Sequence, residues 1–155
     1  QGDSSEDLRI IEDAMRKTNV LDMADRYVNT MSGGERQKVI IARAMAQTPK
    51  ILLMDEPTLH LDISAQFDIL DLVYSLSRSE GLTVVIVSHD LPMVARYCDR
   101  ILMIHDHTIH ALGRTEEVLT PENMRTVFGV DAELSVDPKS GRNTITMHGS
   151  ATSRT

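Results

Sequence analysis

A chain of 155 residues, 41% hydrophobic and 25% charged, has the composition of a globular protein and the length for one domain with a real core. A net charge of −7 and 3% aromatic residues weigh against a broad phosphate-tracking surface or a base-stacking platform, so direct nucleic-acid contact is not expected. One cysteine, Cys98, excludes an internal disulfide and a multi-cysteine zinc site and fits a reducing cytosol, while no apolar run reaches spanning length and no basic-then-apolar leader is visible. Any membrane contact therefore runs through a partner. With Gln1 in first place and no initiator methionine, the chain reads as cut from something longer.

In chain order, Ser5 or Asp7 can cap a helix whose Leu8, Ile11, Met15 and Val20 step at helical intervals until Asn19 breaks it. A short second helix over 21–26 and a connector over 27–30 follow. Met31-Ser32-Gly33-Gly34-Glu35 then opens a periodic helix that ends near Thr48-Pro49. Ile51 to Asp55 is a short apolar run stopped by Pro57 and reads as a buried strand; 57–62 is a loop, and a helix from Ile63 to about Arg78 turns Phe67, Leu70, Val73 and Leu76 inward. Thr83 to Val87 is wholly β-branched and reads as a second buried strand, delivering Ser88, His89 and Asp90 at its tip. A helix follows from Leu91 to Tyr97. Arg100 to Ile104 and Thr108 to Leu112 pair across Asp106-His107, 115–119 and 121–128 are helical, and Ala132 to Val136 with Thr144 to Met147 form a hairpin about 138–142 before a loose tail from Gly149. Strands alternating with helices predict an α/β fold, with a mainly parallel sheet flanked by helices.

Two places carry chemistry. A helix N-terminus offers unpaired N–H groups and the positive end of a dipole to an anion, and Gly33 and Gly34 let a phosphate come close to the backbone. Ser32 and Glu35 also make an S-x-x-E capping box, which is sufficient reason for both residues without any ligand. At the end of the first strand, Asp55 can hold Mg²⁺ directly or through water, and Glu56 can polarise a water for attack on phosphorus. The plainer alternative is a charged strand end facing solvent. His105, His107 and His110 cluster near one turn, but none has a Cys or Glu partner at metal spacing. The nine methionines suit gap-filling in the core, and 116–117 and 131–133 suit solvated charge.

In their order, these pieces resemble the ATP-binding-cassette ATPases. Met31 to Glu35 looks like that family's signature motif, whose usual form begins with Leu and ends with Gln; Ile51 to Glu56 looks like Walker B and its glutamate, Thr58 to Asp62 like the D-loop, and His89 like the switch histidine. The resemblance runs from about Ser5 to Phe128. It implies the C-terminal part of a P-loop NTPase domain: 1–30 ending a helical subdomain, 31–128 running from signature to switch, 129–148 a hairpin-like extension and 149–155 a tail. Leu59-His60-Leu61-Asp62, in place of the commoner Ser-Ala-Leu-Asp, together with Phe128-Gly129-Val130, Val136-Asp137-Pro138 and Gly141-Arg142, is similar to the importers of siderophores, haem and cobalamin. Gly is common in the family where His107 stands, so that turn is expected to be strained or of a different type.

What the resemblance implies for chemistry is specific. Asp55 would help hold Mg²⁺, Glu56 would orient or deprotonate the attacking water, and His89 would contact the γ-phosphate of ATP. Ser32, Gly33, Gly34 and Glu35 would reach ATP held on a second ATPase subunit in a head-to-tail dimer, with Asp62 at the same interface. Membrane permease subunits would place the protein in the cytoplasm, peripheral on the inner face of the membrane. No Gly-x-x-x-x-Gly-Lys-Ser/Thr occurs in the chain, so the phosphate cradle is expected in a missing N-terminal half of the same domain, and the chain alone is expected to be inactive. In the family a further strand lies between the one ending at His89 and the one beginning near Arg100, which predicts that the missing half comes from elsewhere or that the chain is oligomeric or rearranged. A cassette ATPase acting on DNA or ribosomes, or a non-catalytic interaction fragment, is the alternative.

Overall fold

The computed structural model describes residues 4–151, which fall between Ser88 and His89 into two compact units. The first unit begins with α1 (Ser5–Lys17). Ser4, rather than Ser5 or Asp7, is its cap: the Ser4 hydroxyl accepts the Asp7 N–H and the Asp7 carboxylate accepts the Ser4 N–H, so Asp7 is the reciprocal partner. Leu8, expected inward, is 54% exposed, and Ile11 is also exposed; the buried positions are Ala14, Thr18 and Val20. Small Ala14 lets α1 approach α2 (Gly33–Met45), and the Thr18 hydroxyl is satisfied by the Ala14 carbonyl at 2.8 Å. Asn19 ends the helix at φ 56. The expected helix over 21–26 is a single 3₁₀ turn, Leu21–Met23, and the expected connector holds a second, Val28–Thr30.

β1 (Ile51–Asp55) and β2 (Thr83–Val87) pair in parallel, Ile51 opposite Thr83 and Asp55 opposite Val87, joined by α3 (Ile63–Ser79). Leu52 and Met54 turn to a core with Ile41, Met45, Ile69, Val73, Leu76 and Leu82. The strands are not buried on both faces as their apolar composition suggested: Leu53 is 73% exposed, and Val85 and Val87 are exposed too. Continuous apolarity marks a strand with two apolar faces, and the described residues cover only one of them.

The second unit comprises α4 (Leu91–Tyr97), β3 (Arg100–His105), β4 (Thr108–Arg114), α5 (Thr115–Val118), α6 (Pro121–Phe128), β5 (Val130–Val136) and β6 (Asn143–Ser150). β3–β4 and β5–β6 are antiparallel, so among the described residues the parallel part of this α/β fold is the β1–β2 ladder alone. Asp106 and His107 both adopt positive φ, 47 and 61, which is the strain expected where Gly is absent. The terminal hairpin is longer than expected, taking in Gly149 and Ser150; the remainder of the expected tail, 152–155, lies outside the described residues. The core of this unit is Ala95, Met103, Val118, Leu119, Met124 and Ala132. Asp131 is not solvated charge, for Arg125 Nε donates to its carboxylate at 2.5 Å, whereas Glu117 is exposed as expected while it accepts the Arg114 N–H. No described helix is long and apolar enough to cross a membrane.

Candidate functional site

The strand that carries the carboxylates ends abruptly. Asp55 is exposed at the last position of β1. Glu56 then turns to φ 44, a left-handed conformation that costs a non-glycine residue about 1–2 kcal/mol. Its N–H nevertheless donates to the Val87 carbonyl at 2.9 Å, so the residue is held to β2 while the chain leaves the sheet. Such strain at a position fixed by its neighbours is characteristic of functional sites.

The following loop is ordered by its own backbone. Leu59 N–H donates to the Glu56 carbonyl and Leu61 N–H to the Thr58 carbonyl, Thr58 is buried, and His60 takes a left-handed φ of 65, a conformation that His tolerates better than most residues. Asp62, expected at a dimer interface, has a local task as well: its carboxylate accepts the Ala65 N–H at 2.9 Å and caps α3.

The N-terminus of α2 meets this loop. A Cβ on Gly33 would stand 3.0 Å from Leu61 Cδ2, and one on Gly34 would stand 3.2 Å from Ala65 Cβ. The glycines thus have a second reason to be glycine, the close approach of α2 to the loop and to α3. Gly34→Val is expected to destabilise the unit by about 1–3 kcal/mol through overpacking against Ala65, read as a fall in the urea midpoint. Gly33→Ala should cost less, because the end of Leu61 can rotate away.

Ser32 and Glu35 form the reciprocal capping box that their spacing predicts. The Ser32 N–H donates to Glu35 Oε2 at 2.7 Å, and the Ser32 hydroxyl accepts the Glu35 N–H at 3.2 Å. An accepting hydroxyl still has its own proton to donate, so capping and phosphate binding are compatible at Ser32. Sequence reasoning missed Arg26, whose Nη1 lies 2.8 Å from Glu35 Oε1 and whose other arm donates to the Thr30 carbonyl. The signal was there: the signature carries Glu where its usual form has Gln, and a cation stands nine residues before it.

The Ser32 backbone N–H, and after it Arg26, hold the Glu35 carboxyl at about 2 instead of its ordinary 4.5. A depressed carboxylate contributes stability above its unfolded value and loses it as pH falls toward the folded one. Glu35→Gln keeps an amide for the cap and loses the charge. Its deficit in melting temperature relative to the parent should therefore be full above about pH 5 and vanish near pH 2.

His89 opens the second unit and is exposed, its carbonyl accepting the Leu91 N–H at 3.1 Å while Asp90 caps α4. Thus Ser32 to Glu35, Asp62 and the β1 terminus share one unit, and His89 belongs to the other. Of the clustered histidines, His110 Nε2 lies 3.0 Å from Asn123 Oδ1 and His105 meets His110 edge to face. Burial pushes the Cys98 thiol up, which argues against a reactive thiolate.

The ABC transporter family model matches residues 3–59, the stretch holding the Ser32 cap, β1 and the first half of the loop. A solved ABC transporter in an inward-facing conformation matches the fold with a TM-score of 0.85 at 29% identity, over 94% of this chain and 59% of that one. Residues 3–59 carry an ABC transporter domain, and the likeness to a solved ABC transporter extends over nearly all of the chain. Two curated relatives agree. A petrobactin import ATP-binding protein of Bacillus anthracis is 39% identical over 146 residues, 94% of this chain and 54% of that protein. A cobalamin import ATP-binding protein of Halobacterium salinarum is 41% identical over 140 residues, 90% of this chain and 35% of that protein. The chain thus spans about half the length, or less, of the curated relatives it matches.

Among the described residues no three His, Cys, Asp or Glu side chains could hold a metal ion together. An exposed Asp55 nevertheless fits Mg²⁺ of the kind bound to nucleotides, which keeps several waters and takes one or two carboxylates plus substrate phosphates.

Proposed function

We propose that this chain is the signature-to-switch part of the ATP-hydrolysing subunit of an ABC importer, and that the subunit powers uptake of an iron-siderophore, haem or cobalamin-type cargo. The observation that carries the reading is the seating of the Ser32-capped helix, through Gly33 and Gly34, on Leu61 and Ala65 beside the loop that follows Glu56. The cargo class is supported by the names of the two relatives and by Leu59-His60-Leu61-Asp62.

In this reading Asp55 helps hold Mg²⁺, which neutralises charge on the transferring phosphoryl group when bound. Glu56 orients the attacking water and takes its proton, and His89 contacts the γ-phosphate. Ser32, Gly33, Gly34 and Glu35 present the positive end of α2 to ATP held on a second subunit, with Asp62 at the same boundary, so the catalytic site is shared in a head-to-tail dimer. Closure of that dimer on ATP moves permease subunits, which hold the protein on the cytoplasmic face of the membrane.

The chain has no phosphate cradle of the Gly-x-x-x-x-Gly-Lys-Ser/Thr type. The purified 155-residue chain is therefore expected to show no Mg²⁺-dependent ATP hydrolysis, whereas a full cassette carrying it behind such a segment turns ATP over and stops when EDTA removes the metal. Steady-state phosphate release from both samples tests this. Turnover by the chain alone, lost on Glu56→Gln, would sink the assignment of the cradle to another segment.

A further inference from the structure

The hairpin that ends the second unit has a tip more ordered than joining two strands requires. The Asp137 N–H donates to the Arg142 carbonyl at 2.9 Å and the Gly141 N–H to the Asp137 carbonyl at 2.8 Å. The Asp137 side chain accepts the Lys139 N–H at 3.0 Å and the Ser140 hydroxyl at 2.5 Å. Gly141, at φ 67, supplies the left-handed residue that lets the tip close.

The tip faces α4. The Arg142 guanidinium lies 4.7 Å from the centre of the buried Tyr97 ring, a cation–π distance. From the adjacent position, Arg96 Nη1 stands 3.5 Å from Ser140 Oγ and 3.8 Å from Asp137 Oδ2. Behind the tip, Leu134 and Ile145 of the hairpin share a core with Leu91 and Ala95 of α4. The C-terminal end of α4 is thus gripped by side chains and its body by apolar packing.

A helix of seven residues is too short to hold its own shape in water. What holds α4 also sets the residue before its cap. His89 precedes Asp90 directly, and its carbonyl is bonded to the Leu91 N–H in the first turn. We infer that the β5–β6 hairpin is a clamp that positions His89, with Arg142 and Asp137 as positioning residues for ATP hydrolysis, which rests on the role given to His89 above. The clamp gives the Asp137-Pro138 and Gly141-Arg142 stretch a task that no contact with ATP would require. Misplacing a group at a reacting centre by about 1 Å can cost on the order of 10²-fold in rate, so a clamp far from the chemistry is worth keeping.

A double-mutant cycle in the full cassette tests it, with kcat and KM for ATP measured for the parent, Arg142→Met, His89→Ala and the pair. Arg142→Met is expected to lower kcat about tenfold with KM changed less than about twofold, and Arg142→Lys, which keeps a cation over Tyr97, to recover most of it. In the His89→Ala background the same substitution should change kcat less than about twofold, because no imidazole is left to misplace. The His89 ring resonance should shift in Arg142→Met. Equal losses in both backgrounds, or an unmoved His89 resonance, overturn the clamp. Should His89→Ala leave kcat unchanged, the role of His89 falls, and the resonance still judges whether the hairpin positions it. If Arg142→Met does not fold, Asp137→Asn goes through the same cycle.

Discussion

Glu56→Gln is expected to lower kcat for ATP hydrolysis in the full cassette by roughly 10²- to 10⁴-fold, the usual effect of losing a general base, or about 3 to 5 kcal/mol of barrier. The substitution is close to isosteric and leaves untouched the feature that fixes the position, the N–H bond to the Val87 carbonyl. A glutamine meets the same left-handed backbone as the glutamate does. Stability and KM for ATP should therefore stay near the parent's while turnover collapses, the pattern of an interaction made only on the way to the transition state. Steady-state ATPase and thermal melting, run on one preparation, separate this from a folding defect. A kcat within about threefold of the parent's would show that the water is activated by another group.

The order of elements was legible because each carries its own local signal. The β-branched run of β2 and the S-x-x-E cap of α2 state a conformation and a boundary directly, and both were found where expected. Ser4 was missed as the cap of α1 because Ser5 and Asp7 are equally good cap residues. Only the reciprocal bonds show which of the three ends up outside the helix. Exposure was less legible, since an apolar residue such as Leu8 or Leu53 reports what it can bury and not what lies opposite. At the candidate site the sequence displayed the polar residues and glycines whose chemistry is their own, Ser32, Gly33, Gly34, Glu35, Asp55 and Glu56. It concealed contacts between elements: Leu61 under Gly33 and Ala65 under Gly34 are reported by no spacing rule.

Ile69→Ala is expected to cost about 2–5 kcal/mol, a large share of the 5–15 kcal/mol that holds a typical domain. Ile69 is fully buried, at 0% exposure, in the core where α3 meets the inward face of β1 with Ile41, Leu52 and Met54. Truncation there removes apolar contact and leaves a cavity that α3 cannot close, because the same helix is fixed by Val73 and Leu76 further along. The effect should reach the site as well. α3 starts at the Asp62 cap and carries Ala65, on which Gly34 sits, so loosening the helix loosens the seat of α2. The check is a fall in the urea midpoint at unchanged slope, together with faster amide exchange at Ala65, which its bond to Asp62 otherwise protects. Leu53→Ala, on the opposite face of the same strand and 73% exposed, is the control, expected to cost under about 1 kcal/mol in this chain. Equal losses at Ile69 and Leu53 would mean that the inward face of β1 is not where this unit keeps its stability.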